Sequence, residues 1–279
     1  MKTINHSLRA RTWTLEAVTV LLALLFMVPF YFLLANSIKP YADILLDASA
    51  LPKALNWHNY SKAFDVMNFP RAFRNSFVIT ASSILGLTLF GSMAAYRMVR
   101  KPSLYNRILF AVFVAAMVIP FQSIMIPLMK VGSWFHLVNS IPGIWVCYIG
   151  FGSSMTIFLY HGFVKSIPLE IEEAAVVDGC SPYGVFWRIV FPLLKPMTMT
   201  IVILNSLWIW NDFLLPQLML SRAGLRTIPL STFAFFGQYT KQWDLALAGL
   251  VMGVLPIVLF FLFLQKHIIE VITAGSVKG

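Results

Sequence analysis

Runs of about twenty apolar residues without a charge recur along this chain, and they limit its fold more than any other feature. A helix needs about 20 such residues to cross the hydrocarbon core of a bilayer. Ala17–Ile38 qualifies, as do Phe77–Tyr96 between Arg74 and Arg97, and Ile108–Met129 between Arg107 and Lys130. The uncharged stretch Val131–Val164 is too long for one span, and His136, Asn139, Ser140 and Pro142 divide it into a loop and a helix over Ile141–Phe163. A fifth span covers Met197–Leu220 with one acid, Asp212, and a sixth covers Leu245–Gln265. The reading is an all-α integral membrane protein with six transmembrane helices. Only 11% of the 279 residues are charged, against about 25% in soluble domains. A water-soluble fold of this length could not hide that much apolar surface.

The net charge of +10 does not point to nucleic acid, because the basic residues sit in short clusters between apolar runs. Such clusters set membrane topology. Arg97, Arg100, Lys101 and Arg107 crowd the second-to-third connection, whereas Lys130 stands alone in the next. The positive-inside rule therefore puts the crowded connection and both termini in the cytoplasm, in agreement with Lys2, Arg9 and Arg11. The basic residues of the first outer loop, Lys39–Arg74, weaken the contrast, but a loop of that length counts for less. The expected layout is a cytoplasmic segment 1–14, a membrane domain 15–265 with a cytoplasmic loop 165–196, and a cytoplasmic tail 266–279. The first apolar run is too long for a signal-peptide core and is read as a retained span. Cys147 lies in an apolar run and Cys180 in a charged loop, so no disulfide framework is expected, and no metal-ligand spacing occurs.

Several residues within the membrane segments invite either a structural or a functional reading. Ser82 and Gly86, then Gly91 and Ala95, are spaced four apart, which lets helices approach closely in lipid. Pro120, Pro127 and Pro256 each remove a backbone hydrogen bond and favour a kink, either as static packing or as a hinge. In the outer loop, Trp57, Tyr60, Phe64 and Phe69 suggest packed structure. Asn205, Trp208, Asn211 and Asp212 fall broadly on one helix face, where an aromatic plane beside amide and carboxylate groups suits a sugar. They serve equally as helix-packing groups. Asp212 also lies near the outer edge of its span, within reach of interfacial water. His161 reads as an interfacial residue, and no pattern assigns Tyr148 or Gln122 to a pathway.

The cytoplasmic segment Ser166–Pro196 reads as two short helices joined by a tight turn. Pro168 suits a first helical turn, and Glu170, Glu172 and Glu173 fall where the helix dipole favours negative charge. Gly179 is placed to end the helix in a left-handed conformation. Ser181 can cap the next helix, with Pro182 at its first position. A small face at Ala174 and Ala175 suits docking in a groove of another protein, and a solvated connection fits the same residues.

The segment resembles the EAA motif of ATP-binding-cassette importer permeases: Glu173-Ala174-Ala175, Asp178-Gly179, then Ile189 and Pro192. Phe191 stands where Leu is usual and Cys180 where Ala is common. Trp210-Asn211-Asp212-Phe213 resembles the WN(E/D)F signature of carbohydrate-importer permeases, and the ending Thr273–Gly279 is similar to that of the maltose-type permease group. The resemblance implies a type I importer permease fold. It implies that Glu172, Glu173, Ala174, Ala175, Asp178 and Gly179 form a coupling helix seated on an ATPase dimer. A second permease would complete the pathway for a sugar, expected to be a di- or oligosaccharide, and an extracytoplasmic solute-binding protein would deliver it. The tail residues Thr273, Ala274, Gly275, Val277, Lys278 and Gly279 would reach between the ATPases, and loop Ser221–Asp244 would enter the binding protein. The location implied is a bacterial or archaeal cytoplasmic membrane.

The chain lacks a Gly-x-x-x-x-Gly-Lys-Ser/Thr loop, so ATP and Mg are expected on a partner chain and no cofactor on this one. An ion-coupled secondary transporter is the alternative, but Asp212 alone gives it thin support. An intramembrane enzyme would need converging nucleophile, base or metal ligands, and the spans offer none.

Overall fold

The computed structural model describes residues 2–237 and 241–276, with side chains placed over 11–237 and 241–265. Hydropathy alone sets the longest elements. Helix α1 is Lys2–Ser37, and its portion within the described side chains exposes Leu21, Leu24, Leu25 and Phe26, a surface that lipid can cover. Short helices α2 (Tyr41–Leu46) and α3 (His58–Val66) follow, then the 32-residue α4 (Phe69–Arg100). Next come α5 (Leu104–Ala116), α6 (Phe121–Trp134) and α7 (Ile141–Lys165). Helix α8 (Leu169–Val177) and α9 (Pro182–Leu193) form the predicted helix pair, and the middle of α9, Val185–Val190, is a π-helical turn. Helix α10 (Lys195–Asn211), α11 (Leu214–Met219), α12 (Ile228–Thr232) and α13 (Trp243–Ser276) complete the order.

Among the described residues, four helices are long and apolar enough to cross a membrane, and two bent pairs, α5 with α6 and α9 with α10, bring the total to six if each pair is one span. The second, fourth and sixth expected spans lie within α4, α7 and α13, and the first lies within α1 except for Ile38. The third is not one helix. It breaks after Ala116, and α5 and α6 meet at 110°. Pro120 is the N-cap of α6, with an extended backbone at ψ 136°, and its ring removes the amide that a continuing helix would use. The fifth is also interrupted. Helix α10 stops at Asn211, and Asp212 turns extended at ψ 133° before α11 begins.

The chain divides into two compact units, Met1–Phe69 with Thr232–Met252, and Pro70–Ser231 with Gly253–Gly279. In the first unit the aromatic residues of the outer loop do pack: Trp57 lies 5.9 Å from Tyr60, and Phe64 lies 5.6 Å from Phe69. Lys39 is 2% exposed. Its Nζ donates to the carbonyls of Asp47 and Ala48 at 3.2 Å each, which supplies the end of α2 with donors. The Ser49 hydroxyl and amide donate to the Asp47 carboxylate and hold its pKa below the ordinary value.

In the second unit the small residues of α4 face α7. A side chain at Gly86 would strike Ile149, and one at Gly91 would strike Thr156. Helix α7 starts at a cap where Ser140 Oγ accepts from the Gly143 amide at 3.2 Å. A Cβ at Gly143 would run into the Leu137 backbone carbonyl, which has no side-chain freedom with which to yield. Both cysteines are free, Cys147 buried and Cys180 half-buried. Gly143→Ala should therefore cost about 1–3 kcal/mol and lower the melting temperature in detergent. Gly150→Ala, where nothing lies within 4 Å, should not. Equal melting of the two variants would contradict this packing.

Candidate functional site

Two constructions in the second unit carry functional potential: the helix pair α8–α9 and a cleft at the broken spans. Helix α8 follows Pro168 and ends in a left-handed turn. Gly179 has φ +85°. Its amide donates to the Val176 carbonyl at 3.0 Å, and the Cys180 amide donates to Ala175 O at 3.0 Å. This double closure satisfies two carbonyls that a helix end otherwise leaves open. Ser181 Oγ then accepts from the Gly184 amide at 3.2 Å, the cap expected for α9. Behind the turn, Ala175, Phe186 and Val190 pack with Met98 of α4 and Val164 of α7.

The residues proposed for coupling divide between two faces. Glu173, Ala174, Asp178 and Gly179 are exposed, together with Leu169, Ile171, Val176 and Val177. Glu172 and Ala175 are buried instead, so these two do not belong to the free face. Their spacing of three explains why: positions i and i+3 share one helix side. The Glu172 carboxylate is fully engaged within the chain. Tyr96 Oη donates to its Oε2 at 2.7 Å, and Arg100 Nε donates to its Oε1 at 2.7 Å, with Nη2 in ion-pair contact with the same oxygen at 2.7 Å. Arg100 Nη2 also donates to the Ile167 carbonyl at 2.8 Å.

The cleft has a volume of about 590 Å³ and is flanked by the α5–α6 corner and by the end of α10 at Asp212. Met117, Ile119, Phe121 and Gln122 come from the α5–α6 corner. Gly150, Gly152 and Ser154 come from α7, Asn205 and Trp208 from α10, Asp212 from its end, and Leu214 from the start of α11. Helix α10 thus brings three of the four nominated path residues into one space. The fourth, Asn211, does not line it; its side chain is exposed and donates to the Leu207 carbonyl at 2.8 Å. The reason is helical geometry: six residues beyond Asn205, Asn211 is turned about 120° around the helix and off the cleft face. Asp212 Oδ1 accepts from the Leu214 amide at 2.9 Å, and Oδ2 accepts from the buried Tyr148 hydroxyl at 3.0 Å. The Tyr148 ring stands edge-on to Trp208, with centroids 5.5 Å apart. Asp212 is therefore a half-buried, partnered carboxylate that starts α11 and presents its remaining surface to the cleft.

An aromatic ring, two amides, a hydroxyl and a carboxylate around an otherwise apolar space match the chemistry of a polyol with one apolar face. A second groove, about 520 Å³ and lined by Phe73, Phe77, Trp210 and Phe260, offers mostly hydrocarbon. His161 stacks on Phe110 with centroids 3.8 Å apart and takes no part in the cleft.

The profile of the binding-protein-dependent transport system inner membrane component matches residues 87–271. The chain belongs to that family. This permease is 42% identical to a probable starch degradation products transport system permease of Thermoanaerobacterium thermosulfurigenes, across 98% of this chain and 99% of the relative. It is 35% identical to a melibiose/raffinose/stachyose import permease of Bacillus subtilis strain 168, across 97% and 99%. Among solved structures, a bacterial transporter that imports the acidic polysaccharide alginate has the same fold, with a TM-score of 0.80 at 18% identity, covering 92% of this chain and 96% of that one.

The tail expectation falls largely outside the description. Val277, Lys278 and Gly279 lie beyond the described residues, as do the side chains of Thr273, Ala274 and Gly275 within α13. Three groups in the site carried no assignment in the sequence. Gln122 lines the cleft, Tyr148 backs it by bonding Asp212 from the buried side, and Tyr96 with Arg100 meets Glu172 across more than seventy residues. For the turn, Gly179→Val forces a β-branched residue into positive φ, at a cost of about 1–3 kcal/mol. The variant should still insert in the membrane, while limited proteolysis near Asp178–Ser181 becomes faster. Unchanged resistance would contradict the turn geometry.

Proposed function

We propose that this chain is a translocation subunit of an ATP-driven importer for a sugar. The observation that carries the reading is the near full-length match to permeases named for starch degradation products and for melibiose, raffinose and stachyose. A di- or oligosaccharide is the substrate class those names favour. The geometry agrees, because the cleft offers Trp208 beside Gln122, Ser154, Asn205 and Asp212.

In this reading ATP and Mg bind to a separate pair of ATPase subunits. Their closure pushes on the exposed face of α8, at Glu173, Ala174, Asp178 and the adjoining Val176 and Val177. Glu172 and Ala175 act from the inner side by holding α8 to the bundle. A second permease supplies the facing half of the pathway. An extracytoplasmic solute-binding protein delivers the sugar, in line with a solved relative of this fold in complex with its pentasaccharide-bound periplasmic protein. The helix pair and both termini lie on the cytoplasmic side, where Arg97, Arg100, Lys101 and Arg107 agree with the positive-inside rule. Residues 1–14 and 266–279 form the cytoplasmic ends, and the tail reaches toward the ATPases. Alternation between inward and outward states is then a two-state equilibrium that ATP and the loaded binding protein bias through differential contacts. Membership of a binding-protein-dependent family favours this over ion coupling.

Trp208 is 42% exposed, so its removal should not undo the bundle. Losing an aromatic contact of about 1 kcal/mol should raise the sugar concentration for half-maximal uptake roughly fivefold. Uptake in vesicles holding the Trp208→Ala permease with its partner chains tests this. Wild-type uptake kinetics in an intact complex would remove Trp208 from the path.

A further inference from the structure

We propose that Tyr96, Arg100 and Glu172 form a positioning lock that makes α8 move with α4 as one body, and so sets how tightly ATP hydrolysis is tied to sugar movement. The inference rests on the importer reading above and adds residues to it. Glu172 and Arg100 side chains are 7% and 16% exposed, and theirs is the ion pair found among the described residues. Both carboxylate oxygens are taken, one by Tyr96 and one by the guanidinium. The same guanidinium reaches the Ile167 carbonyl, so it also fixes the approach to α8. Arg100 is the last residue of α4 and Glu172 lies in the first turn of α8. Each charge thus sits at the helix end whose dipole favours it.

Cohesion does not require this arrangement. Ala175, Phe186 and Met98 already pack the helix pair against α4. A buried ion pair contributes about as much stability as well-packed apolar residues of the same volume, or less. What it adds is direction. The guanidinium holds the Glu172 carboxylate through Nε and the Ile167 carbonyl through Nη2, and this two-point hold fixes rotation and register, which greasy surfaces leave free to slide. Helix α4 is uninterrupted from there to its far end. At that end Asn75 Nδ2 donates to the carbonyls of Gly224 and Arg226 at 3.0 and 3.1 Å, and Ser76 Oγ accepts from the Ile228 amide at 2.9 Å. One rod, roughly 37 Å between the clamps at 1.5 Å per residue, is therefore pinned to α8 below and to segment 224–228 above. Displacement of α8 passes along it as a rigid-body shift.

The test uses the complete transporter in proteoliposomes, with both permeases, the ATPases and the binding protein, and measures sugar imported per ATP hydrolysed. Wild-type vesicles that import no sugar with ATP would overturn the importer reading itself, a failure visible before any variant is compared. The double variant Arg100→Met with Glu172→Leu keeps apolar packing and removes the directional contact. It should assemble and melt like wild type, hydrolyse ATP, and import at least fivefold less sugar per ATP. Wild-type yield per ATP in that variant would overturn the lock. Arg100→Lys keeps the charge and loses the fork, and carries the test should the double variant fail to assemble. A yield between wild type and the double variant, or below wild type if the double is lost, supports the lock, and a wild-type yield overturns it.

Discussion

A peptide group in the middle of a bilayer has no water to bond, and that one constraint decides where this chain can bend. Within lipid each amide must pair inside its own helix, or the backbone must be covered by protein or line a cavity. The long helices α1, α4, α7 and α13 obey the first option. The two interrupted spans use the second. The corner at Met117–Pro120 and the extended residue Asp212 both adjoin the cleft that holds Gln122, Asn205 and Trp208. Breaking a helix there exposes groups that an intact helix would keep occupied. Asp212 shows how the exposure is tolerated: its carboxylate starts α11 and accepts from Tyr148.

Outside the lipid the same accounting is met by caps. The turn at Gly179 closes α8 with two backbone bonds, and Ser181 opens α9. The result is a short helix with two distinct faces. Its inner face is tied to α4 by Glu172 and packed by Ala175, while its outer face leaves Glu173, Ala174 and Asp178 free. A contact surface that is rigidly mounted can pass motion onward, and a loose one would absorb it. This mounting joins the family assignment to a mechanism.

Hydropathy made the four long helices legible, because lipid contact imposes a simple rule on composition. The caps at Pro168, Gly179 and Ser181 were legible for a similar reason, since each depends on local backbone geometry. The break at Asp212 was not, because the bond that stabilises it comes from Tyr148, sixty-four residues earlier. Pro120 signalled a kink but not a 110° corner, whose angle depends on how α5 and α6 pack. Glu172 and Glu173 are neighbours of the same type, and only tertiary contacts send one inward and the other out. Asn139 makes the same point: at φ +56° its side-chain oxygen accepts from the Ser221 and Arg222 amides, and the sequence marks it only as a loop residue.

The coupling role of α8 stands or falls on whether its outer face touches an ATPase. Ala174 is exposed on that face, and Cys180 is the nearby thiol that a probe must avoid. A permease carrying Cys180→Ser and Ala174→Cys, assembled with its partner chains, can be treated during turnover with a short cross-linker that joins a thiol to a lysine amine. The account predicts a cross-link to the ATPase whose yield changes between nucleotide-free and ATP-bound states. A thiol at 174 that reacts freely with a soluble maleimide in every state, and never links to the ATPase, would contradict it.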